Sequence, residues 1–420
     1  MKNIKIIGFS LSIIIVILLI ITGFYTGLFN PTNNVQAKAI DTYATTESVG
    51  FLSDSINNFS LNLYNHITNG SNDNIFFSSY SVFVALAMAY EGAKGDTAEQ
   101  INNVLGFEQN DEINLCSFGR IYNLLNINSE YTLNTANALW TMKDYPFLEE
   151  YLNFIDNYYM GKATDVDFSK PSEAAEIINK WVEENTGGKI KDMLSSNDIT
   201  PGTVLILSNA IYFKGLWQTQ FDVDHTIDRE FIKSNGEIID VPTMVLTESD
   251  VLFNYTNNDN MQMLELPYKG DAVSMFIILP KYDLNGFKQT VNIDNISNWI
   301  DSMYPENVNL YLPKFTYKTE YNLREILIDM GLDIPFSMSA DFSGMNGFGG
   351  LFIDKVLHKA FIEVNEEGSE AAAATTVHMM ETSIDGQPKI FDANHPFIFL
   401  IQHKETDTIL FMGNLENPLE

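Results

Sequence analysis

Side chains able to do chemistry are plentiful in this chain of 420 residues, yet they do not fall into catalytic spacing. The histidines His66, His225, His358, His378, His395 and His403 stand singly. There is no His-Glu-x-x-His to hold a metal-bound water, no Cys-x-x-Cys and no Gly-x-Ser-x-Gly elbow to present a nucleophile. Cys116 is the only cysteine. Within Leu115-Cys116-Ser117-Phe118 it reads as a small core hydrophobe rather than a nucleophile or ligand. Gly92-Ala93-Lys94-Gly95-Asp96-Thr97 has glycine, lysine and threonine without phosphate-loop spacing, and reads as a helix stop, a turn and a new cap. Gly344-Met345-Asn346-Gly347-Phe348-Gly349-Gly350 does not lie between a strand and a helix of a βαβ unit, so it reads as a loop. His395, before Pro396-Phe397, reads as a packing or hydrogen-bonding residue where a strand begins. No catalytic residue, metal site or cofactor is expected.

The distinctive segment is mechanical rather than catalytic. Glu366-Glu367-Gly368-Ser369-Glu370-Ala371-Ala372-Ala373-Ala374-Thr375-Thr376-Val377 holds no large apolar residue before Val377, so it cannot anchor a core. Four alanines favour helix, Thr375 to Val377 favour strand, and Gly368 relaxes the backbone where the run begins. Such a segment can enter a crowded sheet or stay outside it. By composition alone it reads equally as a flexible or helical surface loop.

The elements around it read as one domain. Hydrophobic content of 45% with 29 Phe and 19 Tyr gives ample core. The net charge of −31, with only Arg120, Arg229 and Arg324 as arginines, argues against nucleic acid, heparin-like sugars and anionic membrane faces as partners. A single cysteine excludes an intramolecular disulfide. Lys2 and Lys5 precede an apolar stretch over residues 6–29, long enough to span a bilayer and oriented to export the remainder of the chain. Val35-Gln36-Ala37 offers small residues for cleavage after Ala37. Residues 1–37 are thus a signal peptide or an uncleaved membrane anchor, with a slight lean to cleavage, and the working domain is secreted or held on the outer face. Residues 38–47 read as a polar linker and 48–420 as the domain.

Apolar spacing predicts helices over 53–68 (Ile56, Phe59, Leu63, Ile67), 78–91, from Asp96 onward, and over 171–184. Strands come after them: 203–213, apolar throughout and so covered on both faces; 261–266 and 272–279 about a turn at 267–271; 308–312; and a hairpin of 397–401 with 409–412. Helices first and strands later, with few βα alternations, is an α+β architecture with large antiparallel or mixed sheets.

Several segments together resemble the serpin family over almost all of 48–420. Asn74-Ile75-Phe76-Phe77-Ser78 leading to Ala85-Leu86-Ala87-Met88-Ala89-Tyr90-Glu91-Gly92-Ala93-Lys94-Gly95-Asp96-Thr97 is similar to the family's buried second helix and its turn. Ser208-Asn209-Ala210-Ile211-Tyr212-Phe213-Lys214-Gly215-Leu216-Trp217 resembles the strand whose top forms the breach. Leu264-Glu265-Leu266-Pro267-Tyr268-Lys269-Gly270, Leu312-Pro313-Lys314-Phe315, Ala340-Asp341-Phe342-Ser343-Gly344-Met345, His395-Pro396-Phe397 and Ile409-Leu410-Phe411-Met412-Gly413 appear in family order. Two positions depart: Tyr80 stands where the family usually has Pro, and Asn414 where it usually has Arg.

The resemblance implies a large central mixed sheet, further antiparallel sheets and an exposed reactive loop, in a monomeric inhibitor that is not an enzyme. It makes Glu366 to Thr375 the hinge of that loop, which a serine protease cleaves and which then inserts as a new strand of the main sheet. Small residues at Ser369, Ala371, Ala373 and Thr375 would face the core without overpacking. No proline lies between Ser369 and Gln387, so every inserting amide can donate. Family spacing from Glu366 sets the cleaved bond between Thr382 and Ser383, with Glu381–Thr382 and Met380–Glu381 as alternatives. The absence of Arg and Lys from 377 to 384 disfavours trypsin-like targets. Elastase-like targets rank first, then chymotrypsin-like, then Glu-specific. A noninhibitory binding member and a secreted hydrolase are the rival readings. Arg-poor, Asn- and Lys-rich usage without disulfides suggests a bacterial source.

Overall fold

The computed structural model describes residues 38–106, 111–127, 130–247, 251–369 and 387–420. Residues 38–420 form one compact unit. The expected linker over 38–47 is instead packed into that unit. Ala39 is buried and exchanges hydrogen bonds with the Asn123 side chain, its amide donating at 2.9 Å and its carbonyl accepting at 2.9 Å. Gly119 allows this approach, since a Cβ there would stand 2.1 Å from the Ile40 carbonyl. The first helix then starts at Thr46, seven residues before the apolar spacing predicts. Thr45 caps it, its hydroxyl accepting from the Ser48 amide while Ser48 accepts in return from the Thr45 amide.

Helix Ser79–Glu91 is buried nearly all round, as its unbroken apolar run predicts. Tyr80 is itself buried beside the Ser78 cap, so the usual proline is replaced by a ring that packs. Asn414 is also buried and donates from Nδ2 to the Asp73 carbonyl at 3.1 Å, where an uncompensated arginine charge would be costly. Among the described residues no helix is long and apolar enough to cross a membrane; residues 6–29 lie outside them.

Two sheets organise the unit. A ten-stranded sheet carries most of the later strands, including the C-terminal hairpin Phe397–His403 and Thr408–Leu415 and the ribbon Ile227–Ile232 with Ile238–Leu246. The six-stranded main sheet has the order Phe315–Asn322, Lys355–Val364, Gly368–Ser369, Leu205–Leu216, Tyr131–Met142 and Lys162–Val166. Leu205, Leu207, Ile211 and Phe213 point from one face into the large core. Ile206 and Ala210 point from the other face into a smaller cluster. Helix Pro171–Asn185 caps that second face with Ala174, Ala175, Ile178 and Val182, against the small side chains Ala136, Ala138 and Ala210.

Sheet continuity changes along one seam. Strands Lys355–Val364 and Leu205–Leu216 run parallel and pair directly from Lys355 with Ile206 to Ala360 with Ile211. Above Ala360 they part. A polar cluster lies on the paired section. The Ser78 amide donates to His358 Nε2 at 3.0 Å, and the other ring nitrogen meets Asn209 Oδ1. Asn209 Nδ2 in turn reaches Ser81 and Asn137. Acceptance at Nε2 requires a neutral ring, and burial holds the His358 imidazole down to about 3.

Candidate functional site

Where the two strands part, the chain turns at Asn365 to Gly368 and re-enters the sheet between them. Val364 pairs with Ser369 on one side; Gly368 pairs with Leu216 and Ser369 with Gly215 on the other, both antiparallel. The turn is built by Asn365, whose Oδ1 accepts from the amides of Glu367 at 3.1 Å and Gly368 at 3.2 Å. A Cβ on Gly368 would fall 2.0 Å from the Gly215 carbonyl, so only glycine lets these backbones come together.

Backbone carbonyls of the turn are then tied to the strand opposite. Glu367 accepts from the Trp217 amide at 2.8 Å, Glu366 from the Phe221 amide at 2.9 Å and Asn365 from Trp217 Nε1 at 2.9 Å. Trp217 stacks on Tyr268 with centroids 4.5 Å apart. Tyr268 is fully buried, and its hydroxyl meets the Ser369 hydroxyl at 2.7 Å. Burial pushes the Tyr268 phenol far up, so it stays a neutral hydrogen-bonding group at any physiological pH.

Glu366 is fixed by charge. Its carboxylate lies 2.8 Å from Lys314 Nζ and accepts from Thr226 Oγ1 at 2.7 Å. Burial pushes this carboxyl up, but the hydrogen bonds from Lys314 and Thr226 outweigh that and hold it below its ordinary value. The acid therefore acts as a fixed post at the start of the expected hinge.

Of the residues the sequence singles out, Glu366, Glu367, Gly368 and Ser369 are brought together here. Glu370, Ala371, Ala372, Ala373, Ala374 and Thr375, and the bond residues Met380, Glu381, Thr382 and Ser383, lie outside the described residues. Description resumes at Gln387, and strand Lys389–Asp392 pairs parallel with Tyr304–Pro313. The sequence does not mark Lys314, Thr226, Tyr268 or Asn365 as site residues. Lys314 and Tyr268 sit inside segments that resemble the family, but nothing local distinguishes an anchoring lysine from a solvated one. Among the described residues no group of acidic, histidine or cysteine side chains could hold a metal ion. His395 bridges Asn394 at 2.8 Å and the Pro280 carbonyl at 2.6 Å, which is a hydrogen-bonding role.

The model of the Serpin (serine protease inhibitor) family matches residues 54–418. An uncharacterized serpin-like protein of the archaeon Thermococcus kodakarensis is 40% identical, covering 97% of this chain and 98% of its own length. The leukocyte elastase inhibitor of Xenopus laevis is 40% identical over 87% of this chain and 99% of its own. Among solved structures, Serpin48 of the insect Tenebrio molitor superposes with a TM-score of 0.79 at 33% identity, covering 87% of this chain and 98% of its own. None of these three relatives is bacterial.

Proposed function

The chain belongs to the serpin family, and on that footing we propose that it inhibits serine proteases as a suicide substrate. The protease serine attacks the carbonyl of the bait residue, Thr382 in this reading. The amide to Ser383 breaks, its nitrogen leaves as the protonated amine, and the enzyme stays bound as an ester. The freed strand then enters the main sheet before water can hydrolyse that ester. The observation that carries this reading is Gly368–Ser369 already seated in the parting of the two strands.

Extending that register gives the path. Ser369 opposite Gly215 continues as Ala371 opposite Phe213, Ala373 opposite Ile211 and Thr375 opposite Asn209, all toward the large core. Glu370 comes opposite Lys214 on the other face. Residue 379 comes opposite Leu205, the first residue of that strand. The six pairs from Lys355 to Ala360 must separate for this to happen, and the incoming side chains of Ala371, Ala373 and Thr375 are small enough to take their place.

The bait residues support elastase-like and then chymotrypsin-like proteases as targets, and the named relative Xenopus leukocyte elastase inhibitor points the same way. Export also belongs to this proposal: the compact unit starts at Lys38, so cleavage after Ala37 would leave it whole. The test mixes the full chain with elastase and resolves the products on a denaturing gel, with mass spectrometry of the released fragment. A covalent band near the summed mass, and a new N-terminus at Ser383, support the reading. Cleaved chain beside fully active protease, across a panel of elastase-, chymotrypsin- and Glu-specific enzymes, refutes inhibition and favours a binding role.

A further inference from the structure

The chain carries a motif that the inhibitory reading does not use. Asn-x-Ser/Thr, with any residue but proline in the middle, is the acceptor pattern for a sugar chain on the asparagine side chain. It occurs at Asn58-Phe59-Ser60, Asn69-Gly70-Ser71, Asn254-Tyr255-Thr256 and Asn295-Ile296-Ser297. The pattern is common, and the fold decides which copy can be used. A transferring enzyme needs the tripeptide on a surface loop, with the amide nitrogen free to react and the hydroxyl within reach.

Three copies fail on those terms. Asn58 lies within helix Thr46–Thr68, where its Nδ2 donates to the Asp54 carbonyl at 2.9 Å. Ser60 of the same tripeptide is fully buried and donates to the Ile56 carbonyl at 2.7 Å. Asn254 lies in strand Leu252–Asn257, its Nδ2 donates to the Glu265 carboxylate at 2.6 Å, and Thr256 is buried. Asn295 lies in helix Ile293–Asp301, and its Nδ2 donates to the Thr290 carbonyl at 2.7 Å. A helix or a strand would have to open to present any of these.

Asn69-Gly70-Ser71 is placed differently. It lies in the connection between helix Thr46–Thr68 and strand Ile75–Phe77. The Ser71 amide donates to the Thr68 carbonyl at 3.1 Å, which closes a turn with Asn69 and Gly70 at its tip. Asn69 at φ −62°, ψ 108° and Gly70 at φ +76° make this the turn that needs glycine at its third position. Nothing stands within 4 Å of where a Cβ on Gly70 would be. Asn69 is exposed, and its side chain has no hydrogen-bond partner among the described residues. The Ser71 hydroxyl bonds only to Asp73, at 3.1 Å within the same connection.

We propose that Asn69 carries an N-linked sugar chain in the exported domain. Its Nδ2 attacks the anomeric carbon of a lipid-pyrophosphate-linked sugar. The C–N bond forms as the C–O bond to the pyrophosphate breaks; the pyrophosphate keeps that electron pair, and one amide proton passes to a base of the transferring enzyme. Such transfer takes place outside the cytoplasm, so the proposal rests on the export reading above.

The test offers the folded full chain, in detergent, to a purified single-subunit oligosaccharyltransferase of Asn-x-Ser/Thr specificity with its lipid-linked donor. Peptide mass spectrometry maps the product, and synthetic peptides spanning each tripeptide are the unfolded reference. Every peptide should be modified. The folded chain should be modified at Asn69 more than about tenfold faster than at Asn58, Asn254 or Asn295, because those sites require local opening first. Ser71→Ala should abolish the modification, and Ser71→Thr should retain it. A folded chain left bare at Asn69 while its peptide is modified overturns the site and leaves export standing. Equal modification at another copy also overturns it, because the fold would then not select Asn69. The full chain is finally made in cells whose secretory route carries such a transferase. A glycan recovered on Asn69 supports the proposal, and an exported chain without one overturns it alone. A chain retained in the cytoplasm without one removes the export reading and the modification together.

Discussion

Replacing Ser369 by arginine should convert the inhibitor into a substrate, and the geometry sets the size of the effect. Ser369 is 2% exposed, pairs with strands on both sides and meets the Tyr268 hydroxyl. Trp217 and Phe213 pack against the Tyr268 ring that meets it. A guanidinium there is taken out of water, and burying it costs several kcal/mol. The two-residue strand it must preserve contributes only about 1 kcal/mol per hydrogen bond. Charge wins, so the first residues stay out of the parting and every later residue has to enter behind them. If about 3 kcal/mol of that cost is carried into the insertion barrier, insertion slows by more than a hundredfold. Hydrolysis of the ester then overtakes it. The assay is the stoichiometry of inhibition, read from titration of protease activity with inhibitor. Its excess over one is the ratio of ester hydrolysis to insertion, so that excess should rise by more than a hundredfold on the same barrier, while the rate of bait cleavage is unchanged. Ser369→Ala is the control: it loses one hydrogen bond but introduces no charge, and should still trap. Trapping by Ser369→Arg at the natural stoichiometry would show that Ser369 does not lead the inserting strand.

Lys314→Ala should loosen the turn by leaving Glu366 buried without its cation. The cost is about 1–2 kcal/mol, discounted because the lysine side chain is 36% exposed; faster amide exchange at Glu367 and Gly368, with exchange elsewhere unchanged, checks it. The lowered Glu366 carboxyl adds stability that is present above the ordinary carboxylate range and lost as pH falls through its lowered value, so the same exchange should quicken in acid. His358 behaves differently in range. Its neutral form is the folded one, so stability is full above pH 6.5 and declines as pH falls from there toward 3. Thermal unfolding of His358→Gln should lose the part of the decline that lies between pH 6.5 and 5; an unchanged slope in that window would remove the histidine from the account.

Local pattern makes the helices and hairpins legible. Helix Ser79–Glu91 and the hairpin Met261–Pro267 with Val273–Pro280 lie within a residue or two of where the apolar runs put them. The main sheet is harder to read. Strands Tyr131–Met142 and Lys355–Val364 carry Asn134, Asn137, Lys355, His358 and Lys359, which break an apolar signal although Asn137 and His358 are buried. Those two are satisfied through the cluster with Ser78, Ser81 and Asn209, a partnership spanning more than two hundred residues of sequence. The site shows the same division. The small residues after Gly368 announce a segment that can enter a sheet, but the groups holding its root lie elsewhere in the chain. Lys314 is 52 residues from Glu366 and Thr226 is 140. Long-range pairing of this kind leaves no periodicity to find.

The register also explains why the position of the cleaved bond matters little to the mechanism and much to the target. Extension of the Ser369–Gly215 pairing ends at residue 379 opposite Leu205. Cleavage after Met380, Glu381 or Thr382 leaves one to three residues beyond the last pair, a tether of at most about 10 Å. Each of the three would hold the enzyme hard against the far end of the sheet, about 33 Å from where the strand enters at Ser369. The mechanical outcome is thus common to all three. What differs is the side chain offered to the protease pocket: an unbranched thioether, an acid or a small branched alcohol. In the proposed mechanism insertion is set by the frame of strands, whereas target preference is set by the bait. Exchange of Thr382 alone should therefore move the target preference and leave the stoichiometry with any enzyme that still cleaves there unchanged.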